Sequence, residues 1–96
     1  MVTVLCHLRA KPGAGDAVEA YLAEIAPAVR SHDGCIDIRL VRELDDRDQL
    51  VLIETWQARE YFDKYMASRP ESGPVADLVE KLEKVPAVRF FNDANV

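Results

Sequence analysis

The sequence predicts an α+β fold in which a four-stranded antiparallel sheet carries its helices on one face. Three observations lead there. Apolar and polar residues alternate over four short stretches, the period of a strand. Between the first and second stretches, and again between the third and fourth, apolar residues recur at helical spacing. The polar segment ELDDRDQ joins the second stretch directly to the third, as a hairpin loop would.

Residues 2–10 open the chain as a strand, with Val2, Val4, Cys6 and Leu8 on one face and Thr3, Leu5, His7 and Arg9 on the other. KPGAGD then turns the chain. From Asp16, placed to cap a helix and to bring negative charge to its start, Val18, Tyr21, Leu22, Ile25 and Val29 follow helical spacing. Pro27 is expected to kink this helix near its end. HDGC closes it, Gly34 supplying the left-handed conformation that stops a helix. Ile36, Ile38 and Leu40 alternate with Asp37 and Arg39 in a second strand, and Leu50 to Trp56 form the third. A second helix begins at Ala58 and carries Tyr61, Phe62, Tyr65 and Met66 at helical spacing. SRPESGP breaks it, Val75, Leu78, Val79 and Leu82 resume the pattern, and AVRFFN, residues 87–92, makes the last strand.

The order β-α-β-β-α-β is the ferredoxin-like plan, and right-handed crossovers place both helical stretches on the same side of the sheet. The third strand is apolar on both faces: Leu50 and Leu52 point one way, Val51 and Ile53 the other. The helices cover only one of these faces. A second copy packing sheet against sheet is the simplest cover for the other, so a homodimer is expected.

Ninety-six residues make one domain, residues 1–96, with 49% hydrophobic and 30% charged residues. No apolar run approaches the roughly 20 residues that span a bilayer. The start of the chain lacks the basic and long apolar regions of a signal peptide, which places the protein in the cytoplasm. A net charge of -5 without a Lys/Arg cluster excludes a nucleic-acid partner. Cys6 and Cys35 show no CxxC or Cys/His ligand spacing, so neither a metal site nor a redox pair is read, and no glycine-rich phosphate cradle or dinucleotide fingerprint calls for a nicotinamide or flavin cofactor.

Taken together, LRAKPG after the first strand, IAPAVRSHDGC at the end of the first helix and LVLIETWQAREYFDKYMAS from the third strand into the second helix resemble the antibiotic biosynthesis monooxygenase (ABM) domain family over nearly the whole chain. The resemblance implies a dimeric α+β barrel, with a cavity in each protomer between sheet and helices. It also implies cofactor-free oxidation of small molecules, quinols included, with O2. The fold resembles haem-degrading enzymes and a quorum-signal isomerase too. Many members of the family have a histidine where this chain has Tyr65, often with another five residues on, where it has Pro70. The axial histidine of the haem-degrading relatives has no counterpart in PESGPVADL, and their first-strand asparagine is matched by Cys6, so haem degradation is not implied.

Strand parity sets Glu54 beside Trp56 on the face of Leu50 and Leu52. A buried carboxylate there is either a general base with a raised pKa or a structural group paired with Arg9, Arg39 or Arg89. Trp56 either stacks on a flat substrate or fills the core at the strand-to-helix junction. Tyr65 lies one helical turn after Tyr61, on the same face. Its hydroxyl needs a polar partner if buried, which a substrate oxygen supplies. Tyr65 and Glu54 are therefore the candidate catalytic residues, and Trp56, Cys6 and Tyr61 the candidate substrate contacts. His7, on the face opposite Cys6, is assigned to the dimer side, and His32 to favouring the helix C-terminus and nothing more. The reading is a cofactor-independent monooxygenase of a phenol, quinol or polyketide-like aromatic. Its alternatives are a non-oxidative isomerase of a small carbonyl or phosphorylated metabolite, and a non-catalytic binding or stress protein.

Overall fold

The structure, a computed structural model, describes residues 1–68 and 74–96, the side chains of 74–76 aside. The elements run β1 (Val2–Arg9), α1 (Gly15–Arg30), β2 (Cys35–Arg42), β3 (Gln49–Trp56), α2 (Arg59–Ser68), α3 (Pro74–Glu80) and β4 (Ala87–Asn92). The expected break between α2 and α3 falls on residues 69–73, outside the described ones, as does Pro70. The four strands form one antiparallel sheet in the order β2-β3-β1-β4, with the two strands that bury the most residues at the centre. This is the ferredoxin-like arrangement, with the helices on one face.

Register fixes which side chains share that covered face. Val4 lies opposite Glu54 on β3 and Phe90 on β4, and Cys6 opposite Leu52 and Val88. Ile38 of β2 completes the row beside Glu54. One irregularity departs from the expected alternation. A bulge between Cys35 and Asp37 leaves Ile36 out of line and 48% exposed, while Ile38 is buried. An extra residue on one strand shifts the pleat by one and turns its side chain away from the core.

The start of α1 corrects the sequence reading. Asp16 does not cap it; Ala14 is the flanking residue and makes no side-chain cap bond. The capping oxygens come from Asp48, in the loop before β3, whose carboxylate accepts the Gly13 and Gly15 N–H groups at 3.0 Å each. A capping side chain must reach back to the first free N–H groups, and Asp16 is already inside the first turn. Asp16 instead receives Arg42 Nη1 at 2.8 Å. Gly15 is required here, because a Cβ would run into the Arg47 carbonyl and the Arg42 and Asp48 side chains. At its other end α1 continues through Pro27 to Arg30. Gly34 has the expected positive φ, 83°, but it serves the turn closed by the Cys35 N–H on the His32 carbonyl rather than the helix end itself. It is buried, and a Cβ there would collide with the Tyr61 ring.

Two clusters make the core between sheet and helices. One is aliphatic: Leu8, Ala10, Val18, Leu22, Leu50, Leu78 and Leu82. The other gathers Val4, Val29, Ile38, Trp56 and Phe62, with Tyr61, Tyr65 and Phe90 packed against it. Leu82 does not continue α3; it forms a bridge with Ala10, beside backbone bonds from Glu83 N–H to the Arg9 carbonyl and from Lys11 N–H to the Lys81 carbonyl.

Candidate active site

The aromatic cluster is assembled by β3 and α2. The pleat of β3 aims Glu54 and Trp56 at the helices, and helical spacing aims Phe62, Tyr65 and Met66 back at the sheet. The Trp56 indole Nε1–H donates to Glu54 Oε1 at 3.0 Å, with the indole wholly buried and the glutamate 5% exposed. Among the described residues the neighbouring indole donates to the carboxylate, and none of the three expected arginines reaches it. Arg9 pairs with Glu83 at 2.8 Å, Arg39 faces Ile53 on the other side of β3, and the Arg89 guanidinium lies over Phe91. All three sit on the wrong sheet face to reach Glu54, as parity dictates.

Trp56 is not open to a ligand. Its ring stacks on Tyr65, centroids 5.5 Å apart at 29°, and meets Phe62 edge-on at 5.9 Å. The stacking partner expected in a substrate is supplied by the protein. Tyr61 turns to Gly34, while Tyr65 faces a cavity of about 390 Å³ between sheet and helices. Glu54 and Cys6 line the same cavity, so the structure brings three of the five candidate residues together there and leaves Trp56 and Tyr61 behind the wall. The remaining described lining is apolar, from Leu8 and Leu22 at one end to Phe62 and Val88 at the other.

Two features of the site were not assigned from the sequence. His32, assigned only to the helix C-terminus, lies against Tyr65 with ring centroids 4.7 Å apart in an edge-to-face arrangement. The turn at Gly34 brings it there, and the direction of that turn is not encoded in local spacing. Phe62 and Met66 line the cavity beside Tyr65; the spacings of three from Phe62 to Tyr65 and four from Phe62 to Met66, in a helix facing the sheet, were the available signal. Close by, the Cys35 thiol is pushed up from its ordinary pKa, first by burial and then by the negative charge of Glu54, so it stays protonated at neutral pH. Among the described residues no group of three His, Cys, Asp or Glu converges as metal ligands would.

The opposite face of the sheet has a different character. Leu5, Val51 and Ile53 are half-buried on it, Val41 and Phe91 are 40% and 37% exposed, and exposed His7 shares a 2.9 Å hydrogen bond with Gln49. Among the described residues no helix lies over this face.

The family model for antibiotic biosynthesis monooxygenase matches residues 1–72, from β1 through α2 and so across every element that builds the site except α3 and β4. The chain belongs to the antibiotic biosynthesis monooxygenase family. Solved structures extend the likeness of this ABM domain to its whole length. A crystal structure of an antibiotic biosynthesis monooxygenase is 22% identical, covers 98% of this chain and 99% of its own, and superposes with a TM-score of 0.84. Rv0793 from Mycobacterium tuberculosis is 26% identical over 99% of this chain and 96% of its own, at 0.83. SnoaB, a cofactor-independent oxygenase from Streptomyces nogalater solved as a point mutant, is 20% identical over 99% and 94%, at 0.84. No protein of curated function matches the sequence. No helix among the described residues is long and apolar enough to cross a membrane.

Proposed function

We propose that this ABM protein is a cofactor-independent monooxygenase of a small aromatic substrate, a phenol, quinol or polyketide-like ring. The observation that carries the reading is the cavity: about 390 Å³, apolar, with the Glu54 carboxylate and Tyr65 facing into it. That volume lies within the range of small-molecule sites. In such chemistry the substrate supplies the electrons. Loss of a phenolic proton leaves an electron-rich anion that reduces O2 directly, so the protein's share is to exclude water, restrain the ring and manage one proton.

Glu54 takes the proton, becoming neutral as the phenolate forms, and Tyr65 hydrogen-bonds the substrate oxygen. Cys6 lines the floor. Trp56 acts through others: its N–H holds Glu54 in place, and its face fixes the plane of the Tyr65 ring. Oxygen uptake with a dihydroxyaromatic in the presence of a chelator is expected, and Tyr65→Phe should slow it by about 10- to 100-fold. Equal rates for variant and parent would remove Tyr65 from the mechanism. Conversion that proceeds equally well without oxygen would point to the isomerase instead.

A homodimer belongs to the same proposal. The chain's surface, 6259 Å², exceeds the roughly 5500 Å² that a folded monomer of its mass exposes. The face of Leu5, Val51, Ile53, Val41 and Phe91 is the natural place to bury the excess against a second copy, with His7 at the junction. Light scattering that finds a stable monomer at micromolar concentration sinks this part. A cytoplasmic location completes the reading and accords with Cys6 and Cys35 forming no disulfide.

A further inference from the structure

The cavity is a slot that runs between β1 and α1 from one core cluster into the other. Val4, Cys6 and Leu8 line it from β1, and Val29, Ile25 and Leu22 from α1. Val4 and Val29 belong to the aromatic cluster, Leu8 and Leu22 to the aliphatic one, and Ile25 packs against both, so residue numbers fall along the helix as they rise along the strand. At the rise of a strand, the four steps from Val4 to Leu8 span about 13 Å. At the rise of a helix, the seven from Leu22 to Val29 span about 10 Å. The two ends differ in chemistry. Glu54 lies opposite Val4 on the sheet, and Phe62 and Tyr65 line the slot at that end. At the other end Leu78 of α3 closes against Leu8 and Leu22.

We propose that the aliphatic end is a tail subsite, and that the substrate is a phenol or quinol carrying a hydrocarbon chain of about six carbons opposite its hydroxyl. The inference rests on the cavity being the ligand site and specifies the substrate class within that reading. The volume sets the length of the chain. At roughly 30 Å³ for each packed non-hydrogen atom, a cavity of about 390 Å³ holds about thirteen, and a phenol uses seven of them. The shape agrees, because a ring placed at Val4 leaves the stretch from Cys6 to Leu8, under Ile25 and Leu22, for the chain. With the hydroxyl at Glu54 and Tyr65, a substituent that follows the slot must leave the ring from the para carbon. Phe62 and Tyr65 suit a flat ring, which packs on aromatic edges and faces. Leucine and isoleucine side chains present a corrugated hydrocarbon surface, which a flexible chain follows more closely than a second rigid ring does. Each methylene that leaves water for that surface strengthens binding.

The test titrates 4-alkylphenols, from methyl to nonyl, into the full chain and reads binding by calorimetry. Affinity should rise about three- to fourfold with each methylene and level off near hexyl. 4-Phenylphenol, which has as many non-hydrogen atoms as 4-hexylphenol, should bind at least about tenfold more weakly than it. Ile25→Phe, which fills the join between the two ends, should lower the hexyl-to-methyl affinity ratio at least about tenfold. Val85→Asp, at a lining residue that is 83% exposed, should leave that ratio as in the parent. A flat series, or one that climbs without a break to nonyl, overturns the proposal, and so does 4-phenylphenol binding as tightly as 4-hexylphenol. It also falls if Val85→Asp removes the dependence on chain length, because the tail then lies at the surface. Should Ile25→Phe fold poorly, the parent series and the Val85 variant decide the matter. Binding of none of these phenols overturns the tail subsite together with the ligand-site reading. A series that levels at hexyl without any oxygen uptake leaves the subsite standing and sinks the monooxygenase alone.

Discussion

The two halves of the core do different work. At the aliphatic end, Leu8, Leu22, Leu50 and Leu82 interlock with nothing polar among the buried residues. At the aromatic end, the same sheet and helices enclose a carboxylate, an indole and a phenol in contact with one another. Hydrocarbon packing needs only shape, whereas a buried carboxylate needs a donor, and a fixed donor needs packing of its own. The aromatic end thus has the rigidity to hold Glu54 and Tyr65 at the cavity wall, and the aliphatic end supplies the stability that this arrangement draws on.

The sharpest way to break the contrast is Trp56→Ala. Removing a fully buried indole costs about 3–5 kcal/mol, and it also takes the Nε1–H from Glu54 and the stacking face from Tyr65, so denaturant unfolding and oxygen uptake should fall together. Leu50→Ala, in the other half and equally buried, should cost about 3 kcal/mol while leaving turnover per folded molecule unchanged. A loss of turnover there would erase the distinction between the two ends.

Next in size is Gly34→Ala. The backbone at φ 83° disfavours a Cβ, and the Tyr61 ring occupies its place, so about 2 kcal/mol of destabilisation is expected, seen as a lower unfolding midpoint. Smallest is Asp48→Ala, which removes the cap of α1 far from the aromatic end. The Gly13 and Gly15 N–H groups hold the Asp48 carboxyl below the usual carboxylate range. Its stabilisation is therefore complete above its unfolded pKa of about 3.9 and disappears as pH falls through the lower folded value. Chemical denaturation from pH 6 downward should show the variant less stable at first and the difference closing in acid.

Much of the fold was legible because strand parity and helical spacing are local. Val4, Leu8 and Leu50 on one side and Leu5, Val51 and Ile53 on the other follow from alternation, and β4 falls where AVRFFN stands. The proximity of Glu54 to Trp56 was legible for the same reason, two positions on one strand. Assigning Arg9, Arg39 or Arg89 to Glu54 ignored that parity. What the sequence concealed was set by loops. Asp48 reaches α1 only because the β2–β3 loop folds over the helix start, and His32 reaches Tyr65 only because the chain turns at Gly34. Trp56 facing Tyr65 depends on how α2 lies on the sheet, a tertiary angle that spacing does not encode.

The bulge at the start of β2 reaches further than the misplaced Ile36. This strand forms one border of the sheet, where unpaired N–H and carbonyl groups invite a foreign strand to add on. Doubling a residue there spoils the even spacing that such a newcomer would have to match, and Asp37 and Arg39 add charge along the same border. Growth of this protein into fibrils through that border is accordingly discouraged even at high concentration.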